Sequence, residues 1–76
     1  MRIEGKDIII TRHAFLRARK RGIYPDTIEA TIKGGSHERF GKNFIKFSKR
    51  YKRGDVICVG EVVGEIIKIK TIEWGR

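Results

Sequence analysis

The sequence predicts an α+β domain, and three observations predict it. A β-branched run, Ile8-Ile9-Ile10, ends at Thr11. A stretch without Gly or Pro, Arg12 to Arg21, is closed by Gly22 and followed by a second helical stretch from Pro25 to Gly34-Gly35. From His37 onward, apolar residues recur at every second position between glycine-containing turns. The order is strand, helix, helix, then three or four strands of an antiparallel meander. At 76 residues the chain makes one domain, residues 1–76, with a thin core, because small domains bury a smaller fraction of their surface. A second copy of the chain, giving a homodimer, is an expected partner for that reason.

The first strand follows from the isoleucines, whose branched side chains suit an extended backbone, and the Thr11 hydroxyl can cap the helix that follows. Ala14, Phe15 and Ala18 share one side of that helix, which turns this side to the core. Gly22 stands where a left-handed residue closes a helix, and Gly22 to Tyr24 is the corner. Pro25 suits a first helical turn, Asp26 and Glu29 lie near the positive end of the dipole, and Ile28, Thr31 and Ile32 form the buried stripe. His37 is expected in an exposed loop at the helix-to-strand crossing. The meander turns at Gly41-Lys42-Asn43, Arg53-Gly54-Asp55 and Gly64-Glu65. Ile45, Phe47 and Tyr51 fall on one face, with Phe44, Lys46, Ser48 and Arg50 on the other. Val56 to Val63 is apolar on both faces, as a central strand is. In the last strand Ile67 and Ile69 are expected to point one way, and Ile66, Lys68, Lys70, Ile72 and Trp74 the other.

Twelve of the eighteen Lys and Arg residues fall within Arg12 to Arg21 and Arg39 to Arg53, where there is no Asp or Glu. The net charge of +9 is therefore +12 on two segments and −3 on the rest. Such a field attracts phosphate backbones and releases their counterions, so RNA or DNA is the expected partner. Solubility alone does not require segregated charge. Thirteen isoleucines and 39% apolar residues make the chain too hydrophobic for a disordered basic tail. No apolar run approaches the roughly 18 residues of a membrane helix, and no signal peptide is visible, so no membrane contact and a cytoplasmic location are expected. The lone Cys58 reads as a core thiol. Neither a metal nor a cofactor is expected, since His/Cys metal spacing, paired carboxylates and a phosphate-binding glycine loop are all missing from the sequence. Abundant Lys, Glu and Ile with no Gln is a composition associated with hot-growing organisms.

His13, Arg17 and Arg21 recur at intervals of four, which on a helix sets them in one stripe at steps of about 6 Å. Arginine offers a planar fork for phosphate oxygens and histidine can move a proton, so these three are the candidate catalytic residues. Read structurally instead, His13 bonds a strand carbonyl while Arg17 and Arg21 line a solvated face or pair with acids of the C-terminal third. Strand alternation exposes Lys46 and Arg50. Lys49-Arg50-Tyr51-Lys52-Arg53 brackets a tyrosine that can stack on a base, unless the run is only a solvated hairpin tip. Arg12 and Arg39 complete the candidate nucleic-acid-binding set, while Phe40, Phe44 and Trp74 read as core or dimer contacts.

Thr11-Arg12-His13-Ala14, then Arg17, then Arg21-Gly22-Ile23, with Asp26, Ile28, Ile32 and Gly34 after it, form a pattern that continues to a last strand Ile69-Lys70-Thr71-Ile72-Glu73-Trp74. Over nearly its whole length the chain resembles small domain-of-unknown-function proteins of the RelE/ParE toxin superfamily, relatives of BrnT. The resemblance implies a single RelE/ParE-like domain with two N-terminal helices packed on a C-terminal antiparallel β-meander and a short N-terminal strand. It also implies kinship with metal-independent endoribonucleases that cut mRNA, free or on the ribosome, and with gyrase-poisoning toxins. Such a toxin is held in check by an acidic antitoxin. Metal-free RNA cleavage needs a base for the 2′-hydroxyl, cations for the phosphorane charge and an acid for the leaving oxygen. His13 is the candidate base or acid, Arg17, Arg21, Lys46 and Arg50 the candidate cations, and Glu73 or His37 the second proton-transfer group. Two other classes fit the same residues: a non-catalytic RNA- or DNA-binding protein, and a protein-interaction module whose basic face meets an acidic partner.

Overall fold

The computed structural model of the chain describes residues 1–75. The chain runs through β1 (Arg2–Ile3), β2 (Lys6–Ile10), α1 (Arg12–Lys20), α2 (Pro25–Gly34), β3 (Ser36–Phe40), β4 (Phe44–Tyr51), β5 (Gly54–Val63) and β6 (Ile66–Gly75). All six strands join one sheet in the order β1-β2-β6-β5-β4-β3.

This corrects the expected RelE-like division into two N-terminal helices packed on a C-terminal antiparallel meander. The domain is mostly β, with 53% of residues in strands and 25% in helices, and its sheet is built from both sides of the helical pair. β2 lies parallel to β6, and β1 adds antiparallel to β2, so the sheet is mixed. The reason is register: Ile8 and Ile10 pair with Ile67 and Ile69 and extend the apolar rows of β6 by one strand. The turn between β1 and β2 escaped the sequence reading because Glu4 (φ 54) takes a left-handed position ahead of Gly5 (φ 78), where Asn or Gly is the usual signal. His37 is likewise not in a loop but in β3, paired with Phe47.

The helices cover one face of the curled sheet, with α1 beside β6 and α2 over β4 and β5. Thr11 Oγ1 accepts from the Ala14 N–H at 3.1 Å and starts α1. At its end Ile23 N–H donates to Ala18 O and Gly22 N–H to Arg19 O, with Gly22 at φ 77. This Schellman closure buries Ile23 against Ala18. Ala14, Ala18, Ile23, Ile28 and Ile32 from the helices pack on Ile45, Phe47, Val56, Cys58, Ile67, Ile69 and Ile72 from the sheet. The buried Thr31 hydroxyl donates to Thr27 O at 2.7 Å and shares a hydrogen bond with the Tyr51 hydroxyl at 3.0 Å, so no polar group is left stranded there.

One irregularity shapes the site. Val59 pairs with Thr71 but Gly60 pairs with Ile69, which makes Lys70 the extra residue of a β-bulge. The bulge reverses the alternation expected for β6, so Ile72 is buried on the same side as Ile67 and Ile69, with Trp74 packed beside it. Gly60 leaves the space these isoleucines occupy, since a side chain there would meet Ile67 Cγ2 at 2.8 Å and Ile69 Cδ1 at 3.0 Å. Among the described residues, no helix is long and apolar enough to cross a membrane.

Candidate nucleic-acid interface

β2 accompanies β6 only as far as the pairing of Ile10 with Ile69, where Thr11 N–H donates to Ile69 O at 3.1 Å and the chain turns into α1. Beyond that point β6 has no neighbouring strand on this side, and α1 lies along its edge. Between them is a cleft of about 150 Å³ lined by His13, Ala14, Arg17 and Arg21 from the helix and Lys70, Thr71 and Ile72 from the strand. The cleft is open to solvent and has room for a phosphate group with a few waters. The stripe of His13, Arg17 and Arg21 and the bulge, separated by some fifty positions, thus meet in one concavity.

Arg21 is fixed from both ends. Its Nη1 donates to Ile72 O at 2.7 Å, and its own carbonyl accepts from Trp74 Nε1 at 2.7 Å. One of five guanidinium N–H groups is thereby used, which leaves the others for an anion. His13 and Arg17 are exposed, and among the described residues neither has an ion-pair or side-chain hydrogen-bond partner. Lys70 is different: its Nζ lies 2.6 Å from Glu61 Oε1, and that contact holds the Glu61 carboxyl below the usual range, first by the hydrogen bond and then by the charge.

The second basic segment reaches the same end of the molecule. The Arg53 guanidinium lies over the Trp74 ring, 4.9 Å from its centroid, and a methyl group on Gly22 would come within 3.3 Å of Arg53 Nη1. The β4–β5 hairpin tip therefore sits against the α1–α2 corner. Arg19, Lys20, Lys52 and Arg53 are exposed around this junction and Arg12 at the opposite end of α1, and among the described residues none lies within ion-pair distance of an acid.

The other sequence candidates are dispersed. Lys46 and Arg50 lie on the face of the sheet away from the helices, where Lys46 is 3.7 Å from Glu38 and Arg50 is 3.2 Å from Asp55. Lys49 approaches the end of α2 near Gly34, and Arg39 is exposed on β3, three strands away from β6. Tyr51 packs inward with its hydroxyl 3.0 Å from Thr31 Oγ1 and 3.3 Å from Thr27 O, so it offers no open ring to a base. Neither Glu73 nor His37 lines the cleft: Glu73 pairs with Ile57, and His37 faces Phe47 and Glu4. Sequence reasoning missed Lys70 and Thr71 as cleft residues, and only the bulge could have found them. Among the described residues, no group of three or more His, Cys, Asp or Glu is placed to hold a metal ion. Comparison with protein-family models, with curated proteins and with solved structures finds no match to this chain.

Proposed function

We propose that this protein binds single-stranded RNA through its sugar–phosphate backbone. One phosphate sits between His13, Arg17 and Arg21, and neighbouring phosphates run along Arg12, Lys52 and Arg53. The observation that supports this most is the division of charge between the two faces. Among the described residues, Lys46 and Arg50 on the open sheet face each have an acid beside them and Lys68 stands without an ion pair, whereas on α1 and the hairpin tip Arg12, Arg17, Arg19, Lys20, Lys52 and Arg53 are all without one. A surface charged only for solubility has no need of that division. The cleft favours a flexible strand, which can bend a single phosphodiester into 150 Å³. The test is the salt dependence of binding to a short RNA. Each phosphate contact contributes about −0.7 to the slope of log K against log salt for a single strand, so Arg17→Ala is expected to flatten it by about that amount. An unchanged slope and affinity for Arg17→Ala rejects the cleft as the binding site.

The freedom of the His13 imidazole favours a second reading, a toxin-type, metal-independent endoribonuclease restrained by an acidic antitoxin over the same basic face. Among the cleft-lining residues His13 carries the imidazole, a side chain able to take up a proton and return it. It would take the proton of the 2′-hydroxyl as that oxygen attacks phosphorus, then return it to the departing 5′-oxygen. The products are a 2′,3′-cyclic phosphate and a 5′-hydroxyl. RNA cut by the wild type, with or without ribosomes, and left intact by a binding-competent His13→Ala supports this reading. RNA intact under every condition leaves a backbone-binding protein.

A further inference from the structure

We infer that Tyr24 is a stacking platform for a nucleobase of the strand whose phosphate occupies the cleft, an inference that rests on the RNA-binding reading above. Tyr24 is 54% exposed, more than any other large apolar or aromatic residue among those described. It occupies the N-cap of α2, yet its side chain makes no capping hydrogen bond. Ser, Thr, Asp or Asn at that position would satisfy a free helix N–H and stabilise the helix. An exposed tyrosine there gives up a local stabilisation without burying itself, and such departures from local preference mark functional positions.

The mount is rigid. Gly22 closes α1 in the left-handed region, Pro25 fixes the first turn of α2, and the Tyr24 carbonyl accepts from both Thr27 N–H and Ile28 N–H at 3.0 Å. A ring held on a fixed backbone loses little entropy when a base stacks on it. Its surroundings suit a nucleotide. Arg21, three residues earlier, reaches into the cleft, and Arg53 lies against the corner at Gly22 and over Trp74. Cations interleaved with an open aromatic ring are the arrangement that holds single strands. The other exposed aromatic pair, Phe40 and Phe44, stacks on itself at 5.6 Å, and Phe44 is paired with Glu61 across the ladder.

The experiment compares wild type, Tyr24→Ala, Tyr24→Trp and Tyr24→Ser against two probes, an unstructured oligoribonucleotide and an inorganic polyphosphate with as many charges. Tyr24→Ala and Tyr24→Ser are expected to weaken RNA binding roughly five- to a hundredfold while polyphosphate affinity stays at the wild-type value, and Tyr24→Trp retains RNA binding. Tyr24→Ser supplies a preferred cap, so its melting temperature is expected to stay level or rise, which separates lost stacking from lost fold. RNA affinity unchanged in Tyr24→Ala, or lost equally for both probes, overturns the inference. If Arg17→Ala leaves both probes bound as tightly as wild type, the phosphate cleft itself fails, a result distinct from failure at Tyr24. Polyglutamate binding that depends on Tyr24 more than RNA binding does would assign the corner to an acidic protein and also overturn the inference.

Discussion

His37 Nε2 on β3 lies 3.3 Å from Glu4 Oε2 in the turn between β1 and β2, so residues from opposite edges of the six-stranded sheet touch. The contact is possible only because the sheet curls, and it ties the N-terminal hairpin to the strand at the opposite edge. Both side chains are about half exposed, which limits the pair to under about 1 kcal/mol. His37 also meets the Phe47 ring edge-on at 5.9 Å, an arrangement that adds roughly 0.5–1.5 kcal/mol. His37→Ala is therefore expected to lower the denaturation midpoint more than Glu4→Gln. Equal effects would show that the imidazole acts only through its partner.

Gly35 is expected to be intolerant of any side chain. It ends α2 and crosses to β3 with its backbone against β4, where an added methyl group would meet the Ser48 carbonyl oxygen and come within 2.6 Å of Thr31 O. These are backbone atoms and cannot rotate away. Gly35→Ala should cost about 3 kcal/mol in urea unfolding, at the upper end of overpacking effects. Gly64→Ala, with open space around it, serves as the contrast, since its cost comes only from the backbone at φ 61.

What the sequence made legible was periodic. The stripe Ile28, Thr31 and Ile32, the cap at Thr11, the stop at Gly22 and the central place of β5 are all as periodicity and capping implied. What it hid was non-local. Ser36 to Phe40 is exposed at every position and has no strand signature, and becomes a strand by pairing with β4. The parity of Ile72 and Trp74 turned on the bulge at Lys70, which depends on how β6 registers against β5. The site divides the same way. The i, i+4 spacing placed His13, Arg17 and Arg21 in one cleft, but the acids that neutralise Lys46 and Arg50 sit directly opposite them in the ladder, visible only once the register is known.

Cys58 is fully buried, and burial pushes its thiol up to about 12 from 9.0 because the thiolate cannot be solvated there. In that interval the unfolded chain has lost the proton that the folded chain keeps. Stability from this group is complete below pH 9 and falls as pH rises towards 12. Cys58→Ala is thus expected to show a shallower alkaline loss of stability than wild type, despite a lower starting point from the cavity. A thiol reagent at pH 8 should modify native protein only at the rate of transient unfolding; fast modification would show that the thiol is reachable.

Arg21 and Arg17 stand one helical turn apart in the same cleft, yet their removal should have different consequences. Arg21 holds Ile72 O on the strand edge and lends its own carbonyl to Trp74, so its guanidinium contributes to the fold as well as to the field. Arg21→Ala leaves a partly buried carbonyl without its donor, which costs roughly 1–3 kcal/mol, and it should lower both the melting temperature and RNA affinity. Arg17 has no such bond among the described residues, so Arg17→Ala should lower RNA affinity and its salt slope with the melting temperature unchanged. Lys46→Ala and Arg50→Ala, on the far face with acids beside them, should change RNA affinity least. Measured together in one salt series, the four variants locate the binding face. Losses at Lys46 and Arg50 that match the loss at Arg17 would mean that RNA reads only net charge, and that the convergence of α1 with the hairpin tip carries no site.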